Sequence, residues 1–171
     1  SKKETYEKCL EKFKDIDQEL EKAIETNKRK PEKLFGFQEW IKYSINISNG
    51  CPNDCKYCFA KSAAYRRKQI EEGQWSEQII RKKDVDKKYK QYDGLVGFPT
   101  SHDITSSNIE QYLKVLEKLL NHGNEILIVS KPDLDCIKRI CEIGSKHEGK
   151  ILFRFSIGAM DDDILSFWDT N

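Results

Sequence analysis

The sequence has no run approaching the roughly 20 consecutive apolar residues that a membrane-spanning helix needs. Its N-terminus is rich in Lys and Glu and has no apolar h-region, so it does not read as a signal peptide. No membrane partner is expected, and a cytoplasmic location is. An excess of either charge is also missing: 30 Lys and Arg stand against 29 Asp and Glu, a net charge of +1. The chain as a whole therefore carries no electrostatic signature of a nucleic-acid binder. No internal repeat of fixed period and no low-complexity linker is present, which excludes a repeat array.

What is present suits a globular protein. A chain of 171 residues makes one domain with a respectable core. Its 37% apolar and 35% charged residues give a polar but not a disordered balance. Basic residues gather locally at Arg66, Arg67 and Lys68 and from Arg81 through Lys90. Such runs read as solvated helix faces, with a phosphate-facing patch as the alternative.

Hydrophobic spacing divides the chain into elements. Tyr6, Cys9, Leu10, Phe13, Ile16, Leu20, Ala23 and Ile24 follow the three-and-four spacing of an amphipathic helix, stopped before Pro31. This N-terminal helical extension, residues 1–40, is expected to pack outside a main domain of residues 41–171. Strands are expected over 43–48, 94–99, 125–130 and 150–157, where apolar residues alternate or run together. Helices are expected from Phe59 to Gly73, from a Ser107 cap with Glu110 in a capping box to Gly123, from Leu134 to Gly144, and from Asp161 onward. The Leu134 helix is expected to face the core with Leu134, Ile137, Ile140 and Cys141. Strands alternating with helices imply parallel pairing with right-handed crossovers, an α/β fold. In the last strand Arg154 and Ser156 share one face and Phe153, Phe155 and Ile157 the other. A doubly wound sheet buries apolar residues on both faces, so a partial (β/α) barrel with a polar working interior is expected. Four β/α units do not close an eight-stranded barrel and the sequence begins with Ser1 rather than Met, so a truncated chain is expected, with complementation by a second copy as the alternative.

Six cysteines occupy positions 9, 51, 55, 58, 136 and 141. Three of them crowd into Cys51-Pro52-Asn53-Asp54-Cys55-Lys56-Tyr57-Cys58, on a loop leaving the first strand. In a cytosolic chain this crowding points to a metal or redox centre rather than crosslinks. Thiolates are the soft ligands of iron–sulfur clusters. Three of them on a cubane of four irons leave one iron open to an exogenous molecule. The competing assignment is a structural zinc site, with a fourth ligand from Cys9, Cys136, Cys141, His102, His122 or His147. Zinc sites usually pair two CxxC knuckles, and a single triplet stands here.

The C-x3-C-x2-C spacing, the aromatic Tyr57 before the last Cys and the strand–loop context resemble the radical S-adenosylmethionine (SAM) superfamily. The resemblance covers about residues 41 to 160. It implies a 4Fe–4S cluster on Cys51, Cys55 and Cys58, with SAM chelating the open iron. Reductive cleavage of SAM would give a 5′-deoxyadenosyl radical that abstracts a hydrogen from substrate. It also implies a reducing electron donor of flavodoxin or ferredoxin type. Strand ends in the family hold SAM, which nominates Tyr57, Thr100 and Ser101, although Phe98-Pro-Thr-Ser-His-Asp103 departs from the family's Gly-Gly-Glu run. Ser130-Lys131-Pro132 and the strand bearing Arg154 and Ser156 are similar to the spore photoproduct lyase-like branch. There Lys131 would neutralise the SAM carboxylate and Ser156 would reach its carboxylate or ribose. For Lys131 the alternative is a polar turn residue before Pro132; for Arg154, an interior partner of some acidic residue. The substrate is undetermined, with nucleic acid a candidate through the branch. The competing functions are a non-enzymatic zinc-stabilised binding module and a cluster-carrying fragment without turnover. His102 reads as a polar loop residue or a proton-transfer group. His122 and His147 fall near helix ends and need no catalytic role.

Overall fold

The structure, a computed structural model, describes residues 39–169. The expected N-terminal helix and nearly all of the 1–40 extension lie outside the described residues. From the first described residue the order is β1 (Tyr43–Ser44), β2 (Ser48–Asn49), α1 (Phe59–Arg66), a 3-10 turn (Trp75–Glu77), β3 (Ile79–Ile80), α2 (Lys82–Asp86), β4 (Val96–Gly97), α3 (Ile109–Asn121), β5 (Ile126–Ser130), α4 (Leu134–Gly144), β6 (Ile151–Phe155) and α5 (Asp162–Trp168).

Four strands pair in parallel in the order β1-β4-β5-β6, and β2 and β3 form a separate antiparallel pair. The α/β class expected from the alternation is the class observed. Each new strand of the large sheet adds to the same side of the last, and α3 and α4 pack against each other. Right-handed crossovers in that order put both helices on one face. Among the described residues no helix is long and apolar enough to cross a membrane.

The core lies between this helix layer and the sheet. Helix α3 turns Ile109, Tyr112, Val115, Leu116, Leu119 and Leu120 inward against Val96, Phe98, Ile126 and Ile128. Full burial of each such side chain stabilises by about 1.5–3 kcal/mol. Tyr112 stacks on Phe98 at 4.3 Å, and its hydroxyl donates to the Phe98 carbonyl at 2.8 Å. That bond fixes the stem of the loop that follows β4.

Four local expectations are corrected. The strand expected over 43–48 divides: its first part pairs with β4, ending as the Ile45 N–H donates to Gly97 O at 2.9 Å, and Ser48–Asn49 pairs instead with Ile79–Ile80 in a second sheet. Helix α1 ends at Arg66 rather than near Gly73, since Lys68 turns the chain at a φ of 53°. Ser107 does not cap α3: Asn108 holds that position, while the Ser107 hydroxyl meets Thr105 and Gln78, and Glu110 reaches across to Arg139 at 2.6 Å. On α4, Cys136 and Ile140 are buried, whereas Leu134 and Cys141 are exposed. The Asp133 carboxylate, accepting from the Cys136 N–H at 3.0 Å, sets the start of the helix and hence the phase that selects Cys136, Ile140 and Ile143.

Removing the Tyr112 hydroxyl leaves the Phe98 carbonyl unsatisfied within the core. Tyr112→Phe is expected to destabilise by about 1–3 kcal/mol, read as a lower urea midpoint at unchanged m-value.

Candidate metal and cofactor site

The cysteine loop is built by close backbone approach. Gly50 takes a φ of +82°, and a Cβ there would lie 2.3 Å from the Trp75 carbonyl oxygen. Only glycine permits this contact, through which the Cys51 N–H donates to Trp75 O at 2.8 Å. The loop tightens through Asp54 N–H to Cys51 O at 3.2 Å and Cys58 N–H to Cys55 O at 3.1 Å. Cys58 then caps α1, its Sγ accepting from the Lys61 N–H at 3.4 Å. The Lys61 ammonium meets the Asp54 carboxylate at 2.8 Å and ties the cap back to the loop.

At the C-terminal end of β4 the chain is held by a side chain in place of a strand ladder. Asn46 Oδ1 accepts from the Thr100 and Ser101 N–H groups at 2.7 and 2.9 Å, and its Nδ2 donates to Thr100 Oγ1 at 2.7 Å. His102 is buried: its Nε2 accepts from the Ile47 N–H at 3.3 Å while Nδ1 donates to the Asp103 carbonyl at 3.0 Å. Both ring nitrogens are engaged in the neutral form, and burial pushes its pKa down to about 4. His102 therefore braces the two loops and is not poised for proton transfer.

Asp103 joins three segments. Its N–H donates to Cys51 Sγ at 3.4 Å; Oδ2 accepts from the Asn53 amide at 2.8 Å and lies 3.8 Å from Cys51 Sγ; Oδ1 accepts from the Lys131 N–H at 3.0 Å. At the β5 end the Lys131 ammonium pairs closely with Asp169 and donates to the Tyr57 hydroxyl at 3.1 Å. Burial works against its charge, but these two partners outweigh it and hold the Lys131 pKa above the ordinary lysine range. Ser156, past the end of β6, is positioned by its N–H donating to Ser130 O at 3.0 Å.

These elements enclose a cavity of about 260 Å³ at the C-terminal ends of the parallel strands. Its walls include Cys51, Cys55 and Cys58 together with Tyr57, Thr100, Ser101, Lys131 and Ser156. Ligand sites in open α/β sheets fall at this end. Arg154 does not line the cavity: its guanidinium stacks 3.9 Å over the Trp40 ring. Neither the assigned SAM contact nor the alternative acidic partner is what the structure gives it. Asn46, Asp103 and Asp169 are the functional-site residues that the sequence analysis did not nominate. For Asn46 a signal was available in a polar amide interrupting an apolar strand; for Asp169 there was none.

The donor set fits an iron–sulfur cluster. All three cysteines are free thiols, they line one cavity, and two of them already accept backbone N–H bonds of the kind that tune cluster sulfurs. Burial pushes the Cys51 thiol up to about 12 and raises Cys55 as well, so these positions become thiolates when a cation is there to stabilise them. Among the described residues no three His, Cys, Asp or Glu side chains close on a single ion. A cubane instead spreads its thiolates over separate corners. Of the fourth ligands a zinc site would need, Cys136 is buried against the core, Cys141 is exposed, His122 and His147 do not line the cavity, and His102 is already engaged; Cys9 lies outside the described residues. Basic run Arg81–Lys90 contributes internally through Arg81, which donates to the Asn46 carbonyl and pairs with Asp84 at 2.9 Å.

No protein-family model, curated protein or solved structure matches the chain.

The neutral His102 makes stability depend on pH. An unfolded histidine takes a proton near 6.5, whereas the folded one resists until about 4. The unfolded state binds more protons between these values, so stability falls as pH drops through that window. The loss is expected to reach about 3 kcal/mol at ~1.4 kcal/mol per pKa unit. Urea unfolding at intervals from neutral to acid pH, compared with His102→Gln, isolates this part of the slope; parallel curves for the two proteins would show that His102 contributes none of it.

Proposed function

We propose that the protein is a radical SAM enzyme, with a 4Fe–4S cluster on Cys51, Cys55 and Cys58 and SAM in the cavity beside them. The observation that carries the reading is convergence. Eight of the nine residues nominated from the sequence, drawn from the cysteine loop and the ends of three strands, line a single cavity. Spacing alone does not bring Lys131 and Ser156 to the cysteines; the parallel sheet does.

The partial barrel belongs to the same reading. Strands that pair in chain order with both long helices on one face suit a sheet curving towards closure. The other face then carries Ser44, Gly97, Leu127, Val129 and Arg154, in register across the strands. The chemistry such a cluster supplies is reductive cleavage of SAM to methionine and a 5′-deoxyadenosyl radical for hydrogen abstraction. The chain's own residues divide the remaining tasks. Cys51, Cys55 and Cys58 hold the irons, Tyr57 and Lys131 stand where a carboxylate ligand is received, and Thr100, Ser101 and Ser156 offer hydroxyl and amide contacts. The substrate is unidentified, with nucleic acid a candidate, and the electron donor is of flavodoxin or ferredoxin type.

Anaerobic iron–sulfide reconstitution is expected to give a brown protein whose reduced electron paramagnetic resonance (EPR) spectrum changes when SAM is added. Serine at any one of the three cysteines abolishes the colour. Lys131→Met keeps the cluster but weakens SAM binding, by about 10–100-fold if it removes one charge-assisted hydrogen bond of about 1.5–3 kcal/mol. A colourless product carrying one zinc per chain would defeat the reading.

A further inference from the structure

Within the cavity wall the Asp103 carboxyl, from outside the cysteine loop, touches it without being a candidate ligand. We infer that Asp103 is a positioning residue that sets the reduction potential of the cluster, holding it low through a carboxylate placed beside the Cys51 sulfur. The inference rests on the radical SAM reading.

Three contacts support it. Asp103 Oδ2 accepts from the Cys51 thiol at 3.8 Å, so the carboxylate lies directly beside that sulfur. Its orientation is not left to a free rotor: Asn53 Nδ2 holds Oδ2 at 2.8 Å and the Lys131 N–H holds Oδ1 at 3.0 Å. The backbone is fixed as well, since the Asp103 carbonyl accepts from Asn108 Nδ2 at 2.8 Å and from His102 Nδ1 at 3.0 Å. A carboxylate gripped at both oxygens and through its backbone keeps one orientation beside the Cys51 sulfur.

The sign follows from electrostatics. Adding an electron makes the cluster more negative, and a fixed negative charge nearby opposes that step. Net charge and hydrogen bonds to the sulfurs are among the quantities that set such potentials. The Asp103 N–H bond to Cys51 Sγ acts in the opposite direction, and it survives any change confined to the side chain. The carboxylate and the amide of one residue therefore pull the potential opposite ways, and side-chain substitution separates them. A low potential suits reduction of a sulfonium, which needs a strong reductant.

The experiment is an EPR-monitored redox titration of anaerobically reconstituted wild type, Asp103→Asn, Asp103→Glu and Asn53→Leu. Asp103→Asn is expected to move the midpoint to a less negative value. Asp103→Glu keeps the charge and stays near wild type. Asn53→Leu takes a compensating donor from the carboxylate and moves the midpoint the other way. Equal midpoints in wild type and Asp103→Asn, both carrying the cluster, would overturn the inference and leave the radical SAM reading standing. The same shift in Asp103→Asn and Asp103→Glu would also overturn it, since a loosened loop and not charge would be the cause. If Asp103→Asn fails to retain a cluster, Asn53→Leu decides: a more negative midpoint supports the inference and an unchanged one overturns it. A wild type that takes up no iron overturns reading and inference together.

Discussion

Strand β1 pairs with β4 over only two residues, Tyr43 with Val96 and Ser44 with Gly97, and then the chains must part. One has to reach the cysteines and the other has to enclose the cavity. The carboxamide of Asn46 spans the gap. It takes the N–H groups of Thr100 and Ser101, which no neighbouring strand serves at that point, and gives its own N–H to the Thr100 hydroxyl. Backbone donors without partners in a part-buried loop are costly, so one amide spares two such defects and fixes the loop's height above the sheet. The positions of His102 and Asp103, and through them the cysteine loop, follow from that placement.

The site is consequently wired by side chains where the sheet ends. His102 ties Ile47 to the β4 loop, Ser130 Oγ accepts from the Ile104 N–H at 3.0 Å, and Asp103 reaches both Asn53 and Lys131. Regular pairing ends at Gly97 in β4, three residues before Thr100, and at Ser130 in β5, immediately before Lys131. This division suits a binding cavity: helix packing on the opposite face supplies the rigidity, and individually placed polar groups supply the geometry.

Much of the frame was legible because it is written in local patterns. The apolar face of α3 repeats at helical spacing, and Gly123, at a φ of +76°, ends that helix where expected. The strands at 126–130 and 151–155 lie within their apolar runs. The cysteine cluster was legible because three thiols fall within eight residues. Contacts between distant positions were not. Asn46 reads as one polar residue in a strand until Thr100 is beside it, 54 residues away. The phase of α4 was misread because Leu134, the first apolar residue, was counted into the core face, whereas the Asp133 cap starts the helix so that Cys136 turns inward as a small hydrophobe and Leu134 outward. Strand parity gave Arg154 its face and not its partner, the Trp40 ring.

Lys131 lines the cavity in a setting that its residue type alone does not suggest. Its residue type suggests a cation awaiting a carboxylate, yet the structure already gives it Asp169, itself held below the ordinary carboxylate range: burial opposes ionisation there, and the hydrogen bonds from Lys131 and Tyr57 prevail. An ammonium has three donors. Asp169 and the Tyr57 hydroxyl occupy two, and among the described residues no third acceptor is within reach. A cation half-committed in this way is oriented before any ligand arrives, at the cost of attraction shared with Asp169. The pair thus trades strength for placement. The direction of the ammonium is thereby fixed by Asp169 and the Tyr57 hydroxyl, and it stands in the cavity wall that Tyr57, Ser101 and Ser156 also line.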